Sequence, residues 1–172
     1  MQDLLERVLG EQNKDVIKHI GAEYNLEQDE SDKVFRYFLP LLIHGLRHNC
    51  QLQDEFEAVM RALLDDGNEQ YIERPAEITE EKAIDNGNSI LGHIIKTKDK
   101  SREVARYVTN KTGFDLGVMK QMLPVTANLL MGTLSKDIQE HDDKRRFLRN
   151  VLDLDNDNVA LDDASGMIVK IF

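Results

Sequence analysis

A chain of 172 residues that is 41% hydrophobic and 31% charged can bury a real core and is too apolar to stay disordered, so one main domain with small appendages is expected. A formal net charge of −10 leaves few cations to neutralise phosphates or anionic headgroups, which argues against nucleic acid and the membrane surface as partners. The single cysteine, Cys50, cannot form an internal disulfide, residues 1–10 lack the apolar core of a signal peptide, and the longest apolar run, Phe38 to Ile43, is far shorter than the roughly 20 residues of a membrane span, so a cytoplasmic protein outside the membrane is expected.

No stretch sustains the period-2 alternation of a strand, whereas apolar residues recur at helical spacing throughout, which predicts an all-α, multihelical fold. Leu4, Leu5, Val8 and Leu9 form a short amphipathic helix closed by Gly10. A second helix carries Val16, Ile17, Ile20 and Tyr24, with Asn13 or Asp15 as its cap. The third is expected to start at Ser31 or Asp32 and to run through Val34, Phe35, Phe38, Leu39, Leu41, Leu42, Ile43 and Leu46. It is apolar around most of its circumference and therefore central, with a kink or break at Pro40.

A fourth helix, on Phe56, Val59, Met60, Leu63 and Leu64, stops at Asp66-Gly67. Residues 68–76 combine turn formers, charge and Pro75 without periodicity and are expected to be the longest loop. Acids at Glu80 and Glu81 suit a helix start. Asp85-Asn86-Gly87-Asn88 reads as a turn, after which Ser89 opens a short apolar segment, Ile90, Leu91, Ile94 and Ile95. Arg102 to Lys111 is a helix stopped by Gly113, and a second long apolar helix follows from about Asp115 to Leu134, again with a Leu-Pro step at Leu123-Pro124.

The two halves share an order of parts. Each has an amphipathic helix, a linker with one apolar residue (Leu26, Phe114), and a long apolar helix in which Leu-Pro is followed by a glycine, Gly45 or Gly132, where backbones can approach closely. This layout suggests an internal duplication, at a period too long for a solenoid repeat.

Three ordered segments carry a family likeness: Phe38-Leu39-Pro40-Leu41-Leu42-Ile43-His44-Gly45-Leu46, Asn88-Ser89-Ile90-Leu91-Gly92-His93-Ile94, and Met122-Leu123-Pro124 through Leu130-Met131-Gly132-Thr133-Leu134. Over roughly residues 1–137 the chain resembles the YidB-like family, bacterial helical proteins grouped as a domain of unknown function. The resemblance implies a multihelical domain, here residues 1–140, with no established enzymatic activity and no catalytic residues. Some members end in an Asp-rich stretch and a short apolar helix, which the tail 141–172 resembles over Leu152 to Phe172. The family usually has Gly where this chain has Asn158.

Asp153, Asp155 and Asp157 match positions one, three and five of a calcium loop, whose hard cation needs several oxygen ligands around a tight turn. Val159 would offer a carbonyl and Asn158 tolerates the left-handed backbone of the turn. The last position falls on Ala164, so Asp162 or Asp163 would close a shorter loop; Asp153, Asp155, Asp157 and Asp162 are the candidate Ca²⁺ ligands. The competing reading is an acidic turn that caps a final helix, Asp162 to Phe172.

His44 and His48, four apart on one helix face, have a zinc-compatible spacing but no intervening Glu, and structural roles are expected. His93 reads as a packing histidine. The basic groups Lys96, Lys98, Lys100, Arg102, Arg106 and Lys144, Arg145, Arg146, Arg149 read as exposed faces that pair with local acids. Met119, Met122 and Met131 read as core. With no phosphate loop or nucleophile elbow, the sequence points to a non-enzymatic binding module that engages an unknown protein or itself, with a calcium-binding module as the alternative.

Overall fold

A computed structural model describes residues 2–155, with side chains from Leu4 onward. The helices are α1 (Gln2–Val8), α2 (Lys14–Glu23), α3 (Gln28–Asn49), α4 (Gln53–Asp65), α5 (Gln70–Glu73), α6 (Glu81–Ile94), α7 (Lys98–Thr112), α8 (Leu116–Ile138) and α9 (Lys144–Val151), with 3₁₀ turns at Glu11–Asn13 and Pro75–Thr79. No strand occurs among the described residues, and none of their helices is long and apolar enough to cross a membrane. The fold is all-α.

The axis of the fold is α8. Every residue from Met122 to Ser135 is buried, and α1, α3, α4, α5, α6, α7 and α9 all pack against it. A helix apolar all round is stable only when covered on all sides, and the shorter amphipathic helices supply that cover. Met119, Met122 and Met131 lie in this core, together with Phe35, Phe38 and Phe56. The long helix α3 is less central than its composition suggests. Its exposed or half-exposed stripe runs through Lys33, Arg36, Pro40, His44 and His48.

Both long helices run unbroken through their prolines. Proline removes the donor that would bond the carbonyl four residues earlier. Those carbonyls belong to Arg36 and Lys120, both exposed, where water can take the missing donor's place. The linkers before the two helices share a device. A left-handed residue, Asn25 (φ 58°) or Gly113 (φ 80°), turns the chain, and a partly buried apolar residue, Leu26 or Phe114, follows.

Four local expectations are corrected. Helix α3 starts at Gln28, three residues before Ser31, because Glu27 is its N-cap and donates its backbone N–H to the Glu30 carboxylate at 2.8 Å; Ser31 is instead buried against Gly21. Asn13 does occupy the N-cap of α2, but its side chain makes no capping bond and donates instead to the Val8 carbonyl (2.7 Å) and Thr133 Oγ1 (2.8 Å). The expected loop at 68–76 is mostly helical. Tyr71, Ile72 and Ile78 anchor α5 and the turn after it, and the Asn68 carbonyl sits where a Cβ on Gly132 would come within 2.9 Å. Finally, Asp85-Asn86-Gly87-Asn88 is no turn but lies inside α6.

Beyond α8, Asp143 accepts from the Arg146 N–H at 3.1 Å and starts α9. Phe147, Leu148, Leu152 and Leu154 then join the same core as the preceding helices. Residues 156–172 lie outside the described residues.

Candidate functional site

Helix α6 separates two surface depressions, and its position is fixed by amides. Asn86 Nδ2 donates to Asn68 Oδ1 and Asn128 Oδ1, each at 2.9 Å, while Asn128 Nδ2 donates to the Ala83 carbonyl at 2.7 Å and Asn68 Nδ2 to the Ala62 carbonyl at 3.2 Å. Asn68 and Asn128 are buried, where an unmet amide would be costly, so the network ties the end of α4, the start of α5, α6 and α8 to one register. Gly87 lets α6 approach so closely that a Cβ there would collide with the Pro124 backbone carbonyl.

On one side of α6, facing α4, lies a cleft of about 370 Å³. Leu46, Val59, Ile90, Ile94 and Met131 supply its apolar surface, and Glu55, Asp65 and Asp66 bring acid to its lining beside Arg61 and His93. On the other side, α6, α7 and α8 enclose a groove of about 530 Å³. Leu91, Leu123 and Pro124 are its apolar part, and Lys96, Lys98, Arg102 and Lys120 line it without a carboxylate. Lys96 also reaches Glu55 at 3.6 Å, and Arg102 pairs with Asp99 at 3.1 Å.

Three residues of the second basic group are engaged with neighbouring elements. Lys144 Nζ donates to the Ile138 and His141 carbonyls at the end of α8 (3.3 and 2.7 Å), Arg145 Nη2 donates to Glu57 Oε2 at 2.7 Å, and the Arg149 guanidinium lies 4.6 Å from the Phe56 ring centre. These contacts hold α9 against α4 and α8.

Of the four candidate calcium ligands, Asp153 and Asp155 lie within the described residues and Asp157 and Asp162 outside them. Asp153 has φ 55°, and its carbonyl accepts from Arg47 Nε (3.2 Å) and Nη2 (3.1 Å); Asp155 is exposed. Among the described residues no three His, Cys, Asp or Glu side chains gather as a metal site. His44 and His48 stack with ring centres 6.3 Å apart, and burial, followed by electrostatic repulsion from His48 and Arg47, pushes the His44 imidazole down to about 4. The sequence expectation for His93 fails. Its side chain is exposed, and its backbone carbonyl is what accepts a bond, from Asn49 Nδ2. Cys50 is buried, and burial followed by the nearby Glu55 charge pushes its thiol up to about 12, so it is held as the thiol.

Sequence reasoning missed the pairing of Lys120 with the Lys96–Arg102 group, because α8 supplies that lysine from a distant part of the chain. It also missed the exposure of Leu52 and Leu64, whose types alone predict burial.

The model of a family described as a bacterial protein of unknown function (DUF937) matches residues 6–137, and the chain belongs to that family. No curated protein and no solved structure matches it.

Proposed function

We propose that this member of a bacterial family of unknown function is a non-enzymatic binding module, in which exposed leucines at the two ends of α4 anchor a cationic, amphipathic segment of a protein partner. One observation carries the reading. Among the described residues, the large hydrophobic side chains left exposed are Leu52 (65%) and Leu64 (38%), at the N-cap of α4 and in its last turn. A depression flanks α4 on each side: the cleft toward α6, and a groove of about 650 Å³ toward α9 that is lined by Met60, Leu64, Asp65, Asp142 and Asp143 among others. Apolar anchors surrounded by charge are the usual make-up of an interaction surface.

Carboxylates outnumber Lys and Arg in both linings, Glu57, Asp65, Asp142 and Asp143 against Arg61, Lys144 and Arg145 in the groove and Glu55, Asp65 and Asp66 against Arg61 in the cleft, and with the net charge of −10 this favours a cationic partner over a second copy of the same face. A binding role also agrees with the employment of the interior amides, Asn13, Asn68, Asn86 and Asn128, in holding helices together. Titration with a designed Leu/Lys amphipathic helix tests the proposal. The variant with Leu52→Ser and Leu64→Ser is expected to bind about tenfold more weakly or worse, since each buried Leu contributes roughly 1.5–3 kcal/mol. Equal affinity for both proteins would refute the proposal, and a concentration-dependent dimer that the variant loses would reassign these leucines to self-association.

A calcium-binding loop on Asp153, Asp155, Asp157 and Asp162 is the second reading. It is favoured by the burial of Leu152 and Leu154, which alternate with the half-buried Asp153 and the exposed Asp155 and so anchor the start of the loop to the core.

A further inference from the structure

Two residues that line the groove between α6, α7 and α8 are poor choices for their own backbone. Gly92 is exposed inside α6, and a Cβ built on it meets no atom within 4 Å. Glycine weakens a helix interior relative to alanine, and no neighbour here requires the missing side chain. Four residues later Lys96 adopts φ 78°, a left-handed conformation at the end of a helix that suits glycine and strains a residue with a Cβ. A side chain is missing where one fits and present where glycine would relax the turn. Departures from local preference without a packing return mark functional positions.

The chemistry of the groove is anionic recognition. In a chain of net charge −10 it gathers Lys96, Lys98, Arg102 and Lys120, and no acid lines it. Lys98 and Lys120 form no ion pair among the described residues. Helix α7 begins at the groove. Thr97 Oγ1 accepts the Lys100 N–H at 3.2 Å, which leaves the N–H groups of Lys98 and Asp99 without an acceptor inside the helix and adds the positive end of its dipole. Beside these cations, the bare backbone at Gly92 and the side chains of Leu123 and Pro124 offer a surface on which a flat group can lie.

We propose that this groove binds a phosphate-bearing small molecule, with the phosphate held by Lys98, Arg102 and Lys120 and a ring or apolar portion resting over Gly92. The groove volume of about 530 Å³ falls in the range of small-molecule sites.

Calorimetric titration of the full chain with pyrophosphate and with adenosine monophosphate tests the proposal. Both probes are expected to bind, and the exposed charge reversals Lys98→Glu and Lys120→Glu together are expected to weaken both by about tenfold or more. Gly92→Leu, which fills the floor, should weaken only the nucleotide. Superimposable circular dichroism and thermal melts would establish that the variants fold. No binding of pyrophosphate to the native chain, or binding indifferent to the charge reversals, would overturn the proposal, and so would an acidic peptide binding where both phosphates fail. Nucleotide binding that Gly92→Leu leaves unchanged would overturn the assignment of the floor.

Discussion

His44 illustrates how a side chain on the half-exposed stripe of α3 still responds to the interior. Burial, followed by repulsion from His48 and Arg47, favours its neutral form, so its folded value of about 4 lies below the ordinary 6.5. Between those values the unfolded chain binds a proton that the folded chain refuses, and stability therefore falls as pH drops from 6.5 toward 4 and levels off below. Allowing for solvent screening of a half-exposed ring, the loss is on the order of 1–2 kcal/mol. Thermal melts at pH 7.5 and 4.5 are expected to show a smaller drop for His44→Gln than for the native protein. Equal drops would mean that other groups, the carboxylates foremost, account for all of the acid sensitivity.

The glycines of α6 separate packing from openness within one helix. At Gly87 an added methyl runs into the Pro124 backbone, which cannot rotate away, so Gly87→Ala should cost about 1–3 kcal/mol through forced separation of α6 and α8. At Gly92 the same methyl meets nothing, and Gly92→Ala should stabilise by about 0.5–1 kcal/mol through helix propensity alone. Urea unfolding of the two variants measures both signs. The contrast also explains what could be read from the sequence. Helices α3, α7 and α8 were legible because long apolar runs and a glycine stop are local signals. Asp85-Asn86-Gly87-Asn88 was misread because its residues favour turns locally, while the partners that make it helical, Asn68, Asn128 and Pro124, lie far along the chain. The segment at 68–76 was misread for the same reason, the short elements that cover it being too brief to show a period and secured by burial of Tyr71, Ile72 and Ile78. Of the candidate sites, the cations at Lys96–Arg102 were visible and the groove was not, since Lys120, Leu123 and Pro124 come from α8 and Gly92 from α6.

At the scale of the whole molecule, the net charge of −10 means that any added cation stabilises the folded chain by screening its self-repulsion, which would disguise or imitate a specific calcium site. The remedy is to compare ions of equal charge. Screening acts alike for Mg²⁺ and Ca²⁺, whereas a flexible oxygen-ligand loop prefers the larger ion, because Mg²⁺ demands tight octahedral geometry and gives up its water reluctantly. Arg47 adds a condition of its own: its guanidinium already claims the Asp153 carbonyl, so a cation at the loop must be held by the carboxylates against that neighbouring positive charge. If Asp153, Asp155, Asp157 and Asp162 form a site, the melting temperature should rise further in CaCl₂ than in equimolar MgCl₂, saturate, and lose that excess in Asp155→Ala, where mass action predicts about 2.7 kcal/mol of added stability at a hundredfold excess over Kd. Superimposable curves for the two ions would leave only screening, and the tail's carboxylates would then act only through the net negative charge that favours a cationic partner at α4.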